Sequence, residues 1–177
     1  MAVQIGAKPD SGFDDPIGML TDCHRRIEHF LEILWLAAQR AAGRALSGEA
    51  SAAVHAALGY FRKGGQRHNA DEEVSLFPRL RAASQEGRLN ELDGLESDHR
   101  DANLLHGAVE NLYHSWEQNG ALSGADQAEL VSMTQRLKRL YEEHIRMEEQ
   151  VVFPRAAKLL NQQSIAEIGQ EFRARRQ

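Results

Sequence analysis

Residues 68–79 read HNADEEVSLFPR, and residues 144–155 read HIRMEEQVVFPR. The frame His-x-x-x-Glu-Glu-x-x-x-Phe-Pro-Arg is thus written twice, 76 positions apart (144 − 68 = 76). A duplicated piece of core would repeat its apolar residues. This one repeats a histidine and two carboxylates, so a polar group is being held in register. Any fold open to the chain has to place these two segments in equivalent surroundings.

Apolar residues recur at steps of three and four along the chain, and its interior has almost no proline, so the fold class is all-α. The spacing predicts an antiparallel up-down-up-down four-helix bundle over residues 15–160. A disordered or extended arm is expected at 1–14, and a short C-terminal helix or tail at 161–177. The first helix starts near Asp15-Pro16, with proline in its first turn, and ends at Gly43. Its stripe is Ile17, Leu20, His24, Ile27, Leu31, Leu34 and Ala38. The second, from about Ser47 to Ser84, carries Val54, Leu58, Phe61, Gly65, His68 and Glu72, with a bend expected at Gly64-Gly65. The third, about Leu89 to Asn119, carries Leu92, Leu95, His99, Ala102, His106, Val109, Tyr113 and Trp116. The fourth follows Ser123-Gly124 with Leu130, Met133, Leu137, Leu140, His144, Met147 and Val151.

A histidine therefore interrupts each apolar stripe. In such a bundle short loops join neighbouring helices, so distance from a loop fixes height. His24 and His68 each lie about 22 residues from the turn near Leu46, at 1.5 Å of rise per residue. His99 and His144 lie roughly 22 residues from the turn near Ala121-Leu122, and His68 and His99 about 15 from the turn near Ser84. All three loops put the four histidines in one layer.

Glu72 and Glu148 follow their histidines by four residues, so each pair shares a helix face. A carboxylate in an apolar stripe costs several kcal/mol unless it is paired or bound to a metal. No lysine or arginine takes a stripe position at this level, since Arg25, Arg100 and Arg146 fall beside it. A cation enclosed by His24, His68, Glu72, His99, His144 and Glu148 is the expected counter-charge. Four imidazoles and two carboxylates exceed what one tetrahedral zinc uses, and calcium and magnesium prefer oxygen donors. Two ions, each with two histidines and sharing both carboxylates, use every donor. The mixed set suits iron first and manganese next.

Composition narrows the setting. A net charge of −5 with interleaved signs leaves no nucleic-acid footprint. The single cysteine, Cys23, excludes an internal disulfide and fits a reducing compartment. The opening MAVQIGAKPDSG has no apolar signal core, and no run of 18 apolar residues occurs. A soluble cytoplasmic protein without a membrane partner is expected.

The order His24, His68-x-x-x-Glu72, His99, His144-x-x-x-Glu148, with both Phe-Pro motifs, resembles the hemerythrin-like HHE cation-binding domain family over about residues 15–160. The resemblance implies a four-helix bundle around two iron ions with an oxo or hydroxo bridge, manganese or zinc being less favoured. His24 and His68 would bind one iron, His99 and His144 the other, with Glu72 and Glu148 bridging. The implied ligand is dioxygen, peroxide or nitric oxide, met as a sensor, scavenger or weak peroxidase. The alternatives are an iron- or oxygen-responsive interaction module without turnover and a reversible oxygen carrier. Oxygen-carrying hemerythrins have a further histidine four residues after the third-helix ligand, where Asn103 stands on what should be the same helix face. They also close with His-x-x-x-x-Asp, where this chain has His-x-x-x-Glu. With one histidine fewer, each iron keeps an open position, which favours redox turnover over carriage.

Other polar residues near the layer have two readings each. His106 is a ligand, a donor behind one, or a satisfied core histidine. Tyr141 reaches the edge of the site or merely packs. Glu73 and Glu149 are solvated or orient a histidine. His29, His55 and His114 fall off the stripes and are expected at the surface.

Overall fold

The computed structural model describes residues 10–84 and 89–177. Among the described residues there is no strand, and five helices follow one another. They are α1 (Pro16–Ala41), α2 (residues 48–83), α3 (Asn90–Asn119), α4 (residues 124–159) and α5 (Gln162–Ala174). Much of the arm expected at 1–14, and the centre of the α2–α3 connection, lie outside the described residues.

Local chemistry sets the ends. Asp15, Ser47, Ser123 and Asn161 each accept a backbone N–H from the first turn of α1, α2, α4 and α5, which satisfies donors that have no partner within the helix. α1 stops where Ala42 (φ 47°) and Gly43 (φ 75°) turn left-handed. At Gly43 the close approach of the Leu122 carbonyl, 3.0 Å from where a Cβ would stand, adds a second reason for glycine.

The repeated Phe-Pro motif has a structural consequence that periodicity does not announce. Proline has no N–H, and in a regular helix its ring collides with the carbonyl four residues back. In both repeats the helix widens just upstream into a π turn, at Asp71–Leu76 and at Glu148–Val152. Phe77 N–H then reaches Glu72 O, and Phe153 N–H reaches Glu148 O, each five residues back. The wide turns thus sit on the two buried glutamates, a placement typical of functional positions. A third π turn, Phe61–Gly65, stands where the Gly64-Gly65 bend was expected. A Cβ on Gly64 would lie 2.6 Å from the Tyr60 ring.

The buried faces of α1, α2 and α3 follow the expected stripes, apart from half-buried Ile17 and His106. That of α4 does not. Its buried line is Leu130, Thr134, Leu137, Tyr141, His144, Glu148 and Val152, while Met147 and Val151 are 40% and 37% exposed. Steps of four hold Glu148 beneath His144, and the π turn then carries Val152 inward in place of Val151.

α1 lies against both α2 and α4, and α3 against α4. Cross-helix pairs record the directions. Arg62 meets Glu110, Gln66 meets Asn103, Glu73 meets His99 and Arg81 meets Asp93, so numbers rising along α2 fall along α3. His24 with Glu149 and Glu32 with Lys138 show the same for α1 and α4. The apolar interior is divided. One core gathers Ile27, Leu31, Leu34, Val54, Tyr113, Trp116 and Leu137, and a second gathers Leu20, Leu76, Phe77, Leu92, Phe153 and Phe172. The histidine–glutamate layer lies between them in sequence on α1, α2 and α3, and on α4 apart from Ile145 of the first core.

α5 closes the second core with Ile168 and Phe172, both fully buried. Beyond it Arg175 and Arg176 bond Asp71, a fully buried carboxylate between His68 and Glu72 (2.7 and 2.6 Å). Phe13 lies so close to Gly169 that a Cβ there would stand 1.9 Å from the Phe13 carbonyl oxygen. No helix among the described residues is long and apolar enough to cross a membrane. Gly169→Ala should push α5 off this seat and destabilise the protein by ~1–3 kcal/mol, the usual range for overpacking. Urea unfolding monitored by far-UV circular dichroism checks it, and an unchanged midpoint would show that the segment before α1 gives way freely.

Candidate metal centre

α1 supplies His24, α2 supplies His68 and Glu72, α3 supplies His99, and α4 supplies His144 and Glu148. The histidines are at most 2% exposed and both glutamates are 0% exposed, so water does not solvate the carboxylates. The six residues expected to share a layer do so. They form two groups, His24, His68, Glu72, Glu148 and Glu72, His99, His144, Glu148, each with donor atoms within 4.8 Å of one another.

Every imidazole turns Nε2 inward. Glu72 directs Oε1 at His68 (3.3 Å) and Oε2 at His99 (3.2 Å). Glu148 directs Oε1 at His144 (3.4 Å) and Oε2 at His24 (3.0 Å). Each carboxylate therefore gives one oxygen to each half of the layer. Despite these distances, His24 Nε2, His68 Nε2 and all four carboxylate oxygens lack a hydrogen-bond partner. The atoms converge on points between them rather than on one another. His99 Nε2 and His144 Nε2 face each other at 3.2 Å, so with both protons on Nδ1 two lone pairs would meet. Buried, converging, unpartnered donors of mixed imidazole and carboxylate type fit enclosed cations.

The electrostatics of the metal-free layer agree. Burial and the nearby Glu148 charge push the Glu72 carboxyl well above the usual carboxylate range. Burial acts on Glu148 in the same direction, but His144 and His24 outweigh it and hold Glu148 well below that range. Burial opposes protonation of His144, yet Glu148 and Asp98 raise it to about 10. Burial holds His68 well below its ordinary value.

Behind the donors stand half-exposed carboxylates. Glu149 bonds His24 Nδ1 (2.8 Å), Glu73 bonds His99 Nδ1 (2.7 Å), and Asp98 bonds His144 Nδ1 (3.3 Å). A carboxylate offers only acceptors, so each of these imidazoles carries a proton on Nδ1 and presents Nε2 to the interior. Of the two readings open for Glu73 and Glu149, histidine orientation is the one found. Each acts on the neighbouring helix rather than on its own repeat. The ring of Phe153 stacks on His24 (5.5 Å, 10° between planes), and Phe77 lies parallel to His99 (6.4 Å, 3°). Asp98 and Asp71 have no place in the sequence reading. Asp98 precedes His99 by one residue, but its partner lies across the layer on α4.

The remaining candidates lie outside the cluster. His106 bonds the Tyr141 hydroxyl through Nε2 (3.2 Å) and packs on Phe61 (4.1 Å between centroids). Tyr141 is buried, with its ring 6.3 Å from that of His144. Cys23 is a buried free thiol with the Arg26 guanidinium at 3.5 Å. His29, His55 and His114 are exposed, as expected. Asn103 is exposed too, and its amide oxygen accepts from Gln66 Nε2 (2.9 Å). The residue four positions after His99 thus faces outward, and buried Ala102 continues the inner line.

Comparison with known proteins agrees with this geometry. The family profile described as the hemerythrin HHE cation binding domain matches residues 15–156. A protein of Haemophilus influenzae described only as uncharacterized is 26% identical over 174 residues, which cover 93% of this chain and 92% of that one.

His106 gives a pH prediction independent of the metal. Burial lowers its pKa to about 4, against about 6.5 for a free imidazole. A depressed value means that the unfolded chain takes up the proton first. Its contribution is whole above about 6.5 and is lost as pH falls through about 4. Relative to His106→Phe, the wild-type protein should lose about 2–3 kcal/mol over that interval. Denaturant titrations of both proteins at pH 7 and pH 4.5 measure it, and parallel losses would show that His106 protonates without opening the fold.

Proposed function

The chain belongs to the hemerythrin HHE cation-binding domain family, and from that premise we propose that its six layered side chains hold two iron ions within an antiparallel up-down-up-down bundle. The observation that carries this is the division of each buried carboxylate, with one oxygen of Glu72 and one of Glu148 serving each pair of histidines. His24 and His68 hold one ion, His99 and His144 the other. Two bridging carboxylates and two imidazoles per ion suit iron, with manganese and zinc less favoured. When bound, the pair supplies redox chemistry toward dioxygen, peroxide or nitric oxide.

This chain's own residues do the rest. The apolar cores on either side keep the layer dry, which strengthens every charge interaction within it. Glu149, Glu73 and Asp98 fix tautomers and ring planes, and Phe77 and Phe153 hold two imidazoles flat. With Asn103 turned outward, each pair of histidines is limited to two imidazoles, which favours turnover or sensing over reversible carriage. Buried, unpaired Cys23 fits work in the reducing cytoplasm.

A second reading, an iron- or oxygen-responsive interaction module, draws on Asp71. This carboxylate sits inside the ligand segment of α2 and is bonded to Arg175 and Arg176. A change in the layer thus has a route to the C-terminal end. Turnover and sensing part experimentally: the first predicts peroxide consumption in proportion to bound iron, the second a change in stability on reduction with little consumption.

Protein purified aerobically from iron-replete cells should carry about two irons per chain, with a violet-edge absorption that bleaches on reduction. Elemental analysis with optical spectra before and after dithionite tests this, and one zinc per chain would overturn it. Removal of the metal should lower the melting temperature substantially, because an ion bound only by the folded state stabilises it by mass action. Equal melting temperatures before and after chelation would remove the structural role of the ions.

A further inference from the structure

The two halves of the layer match in their inner donors and differ behind them. Each half has two Nε2 atoms and one oxygen from each glutamate. His68 and His144 stand at nearly the same distance from their own glutamates, 3.3 and 3.4 Å. Outward, His24, His99 and His144 each donate Nδ1–H to a carboxylate. His68 Nδ1 is buried and has no partner among the described residues. One half is backed by Glu73 and Asp98, the other by Glu149 alone.

Register shows how the difference arises. Helices α1 and α3 correspond with His24 on His99, an offset of 75 (99 − 24 = 75), and the same offset carries Cys23 onto Asp98. Where α3 has a carboxylate just before its histidine, α1 has a thiol, a weak acceptor that instead takes the guanidinium of Arg26 at 3.5 Å. Among the described residues His68 is steadied by packing, its ring edge-on to His24 (5.1 Å, 83°).

We infer that the two metal positions are unequal: the position between His99 and His144 binds a divalent first-row ion more tightly than the position between His24 and His68, and Asp98 is the positioning residue that sets the difference. This rests on the two-ion reading above. A carboxylate behind a ligating imidazole fixes the proton on the far nitrogen, orients the ring and raises its basicity, and losing one costs about 10–100-fold in affinity. His68 has no such anchor. Its ring is oriented without an outer hydrogen bond among the described residues. At limiting metal a one-ion protein accumulates, filled at the His99–His144 position.

The bridging carboxylates couple the two positions, so each is measured alone. His24→Ala leaves the His99–His144 position, and His99→Ala leaves the His24–His68 position. Each variant also frees one outer glutamate, so the perturbations are balanced. The probe is cobalt(II), titrated into metal-free full-length protein against a competing chelator and read through its visible bands. His24→Ala should bind one cobalt ~10–100-fold more tightly than His99→Ala. Adding Asp98→Asn should remove most of that advantage in His24→Ala and leave His99→Ala unchanged; a merely structural role would weaken both. If an alanine variant loses its helical signal, glutamine at the same position replaces it. Wild-type protein that takes up two cobalt ions, with equal affinities in the two variants, overturns the inference alone. The same holds for an Asp98→Asn effect of equal size in both backgrounds. Fewer than two cobalt ions in the wild type overturns the two-ion reading and the inference together.

Discussion

Two carboxylates, Glu72 and Glu148, lie at zero exposure in the middle of a helical interior, with no arginine or lysine among the described residues to meet them. That arrangement is the constraint from which most of the structure follows. An isolated buried carboxylate is unfavourable by several kcal/mol, and two close together cannot both remain charged without positive partners. Burial and the Glu148 charge push the Glu72 carboxyl up, while His144 and His24 hold Glu148 down. An enclosed pair of cations would supply positive partners. The apolar interior has to accommodate this layer, and it does so by dividing into two cores, with aromatic rings from the Phe-Pro motifs lying against the imidazoles.

The repeat then reads as a device rather than a relic. Within each copy, histidine and first glutamate face inward on one helix turn. The second glutamate reaches a histidine on another helix, and the phenylalanine lies against that same histidine: Glu73 and Phe77 both serve His99, Glu149 and Phe153 both serve His24. Each copy therefore contributes two donors and orients a third. Proline widens the helix between the second glutamate and the phenylalanine, which lets both reach the same neighbour.

Much of the layer was legible in the sequence because it depends on quantities that a sequence carries directly. Loop-to-histidine distances along regular helices set a common height, and the four-residue step put Glu72 and Glu148 under His68 and His144. What escaped depends on contacts between helices or on departures from regularity. Asp98 orients His144 on a different helix, and Asp71 pairs with arginines about a hundred residues away in sequence; no local pattern marks either. The α4 stripe was misplaced at Met147 because the inner line steps by four from His144 to Glu148, and at Val151 because a period of 3.6 does not hold across a π turn. Asn103 went outward because α3 continues its inner line through Ala102, and a step of four from His99 overshoots it.

Asp71 links the layer to the rest of the fold. It sits one residue before Glu72 and within the widened turn, and it is bonded to two arginines just beyond α5. Breaking either side would strand a charge in a place with little water, a loss far larger than that of a surface pair. The turn that carries Glu72 and the seat of α5 are therefore fixed together. α5 also fills the second core with Ile168 and Phe172, and that same core holds Phe77 and Phe153 against His99 and His24. Any shift of Glu72 has two routes to the C-terminal helix, one through an ion pair and one through packed rings.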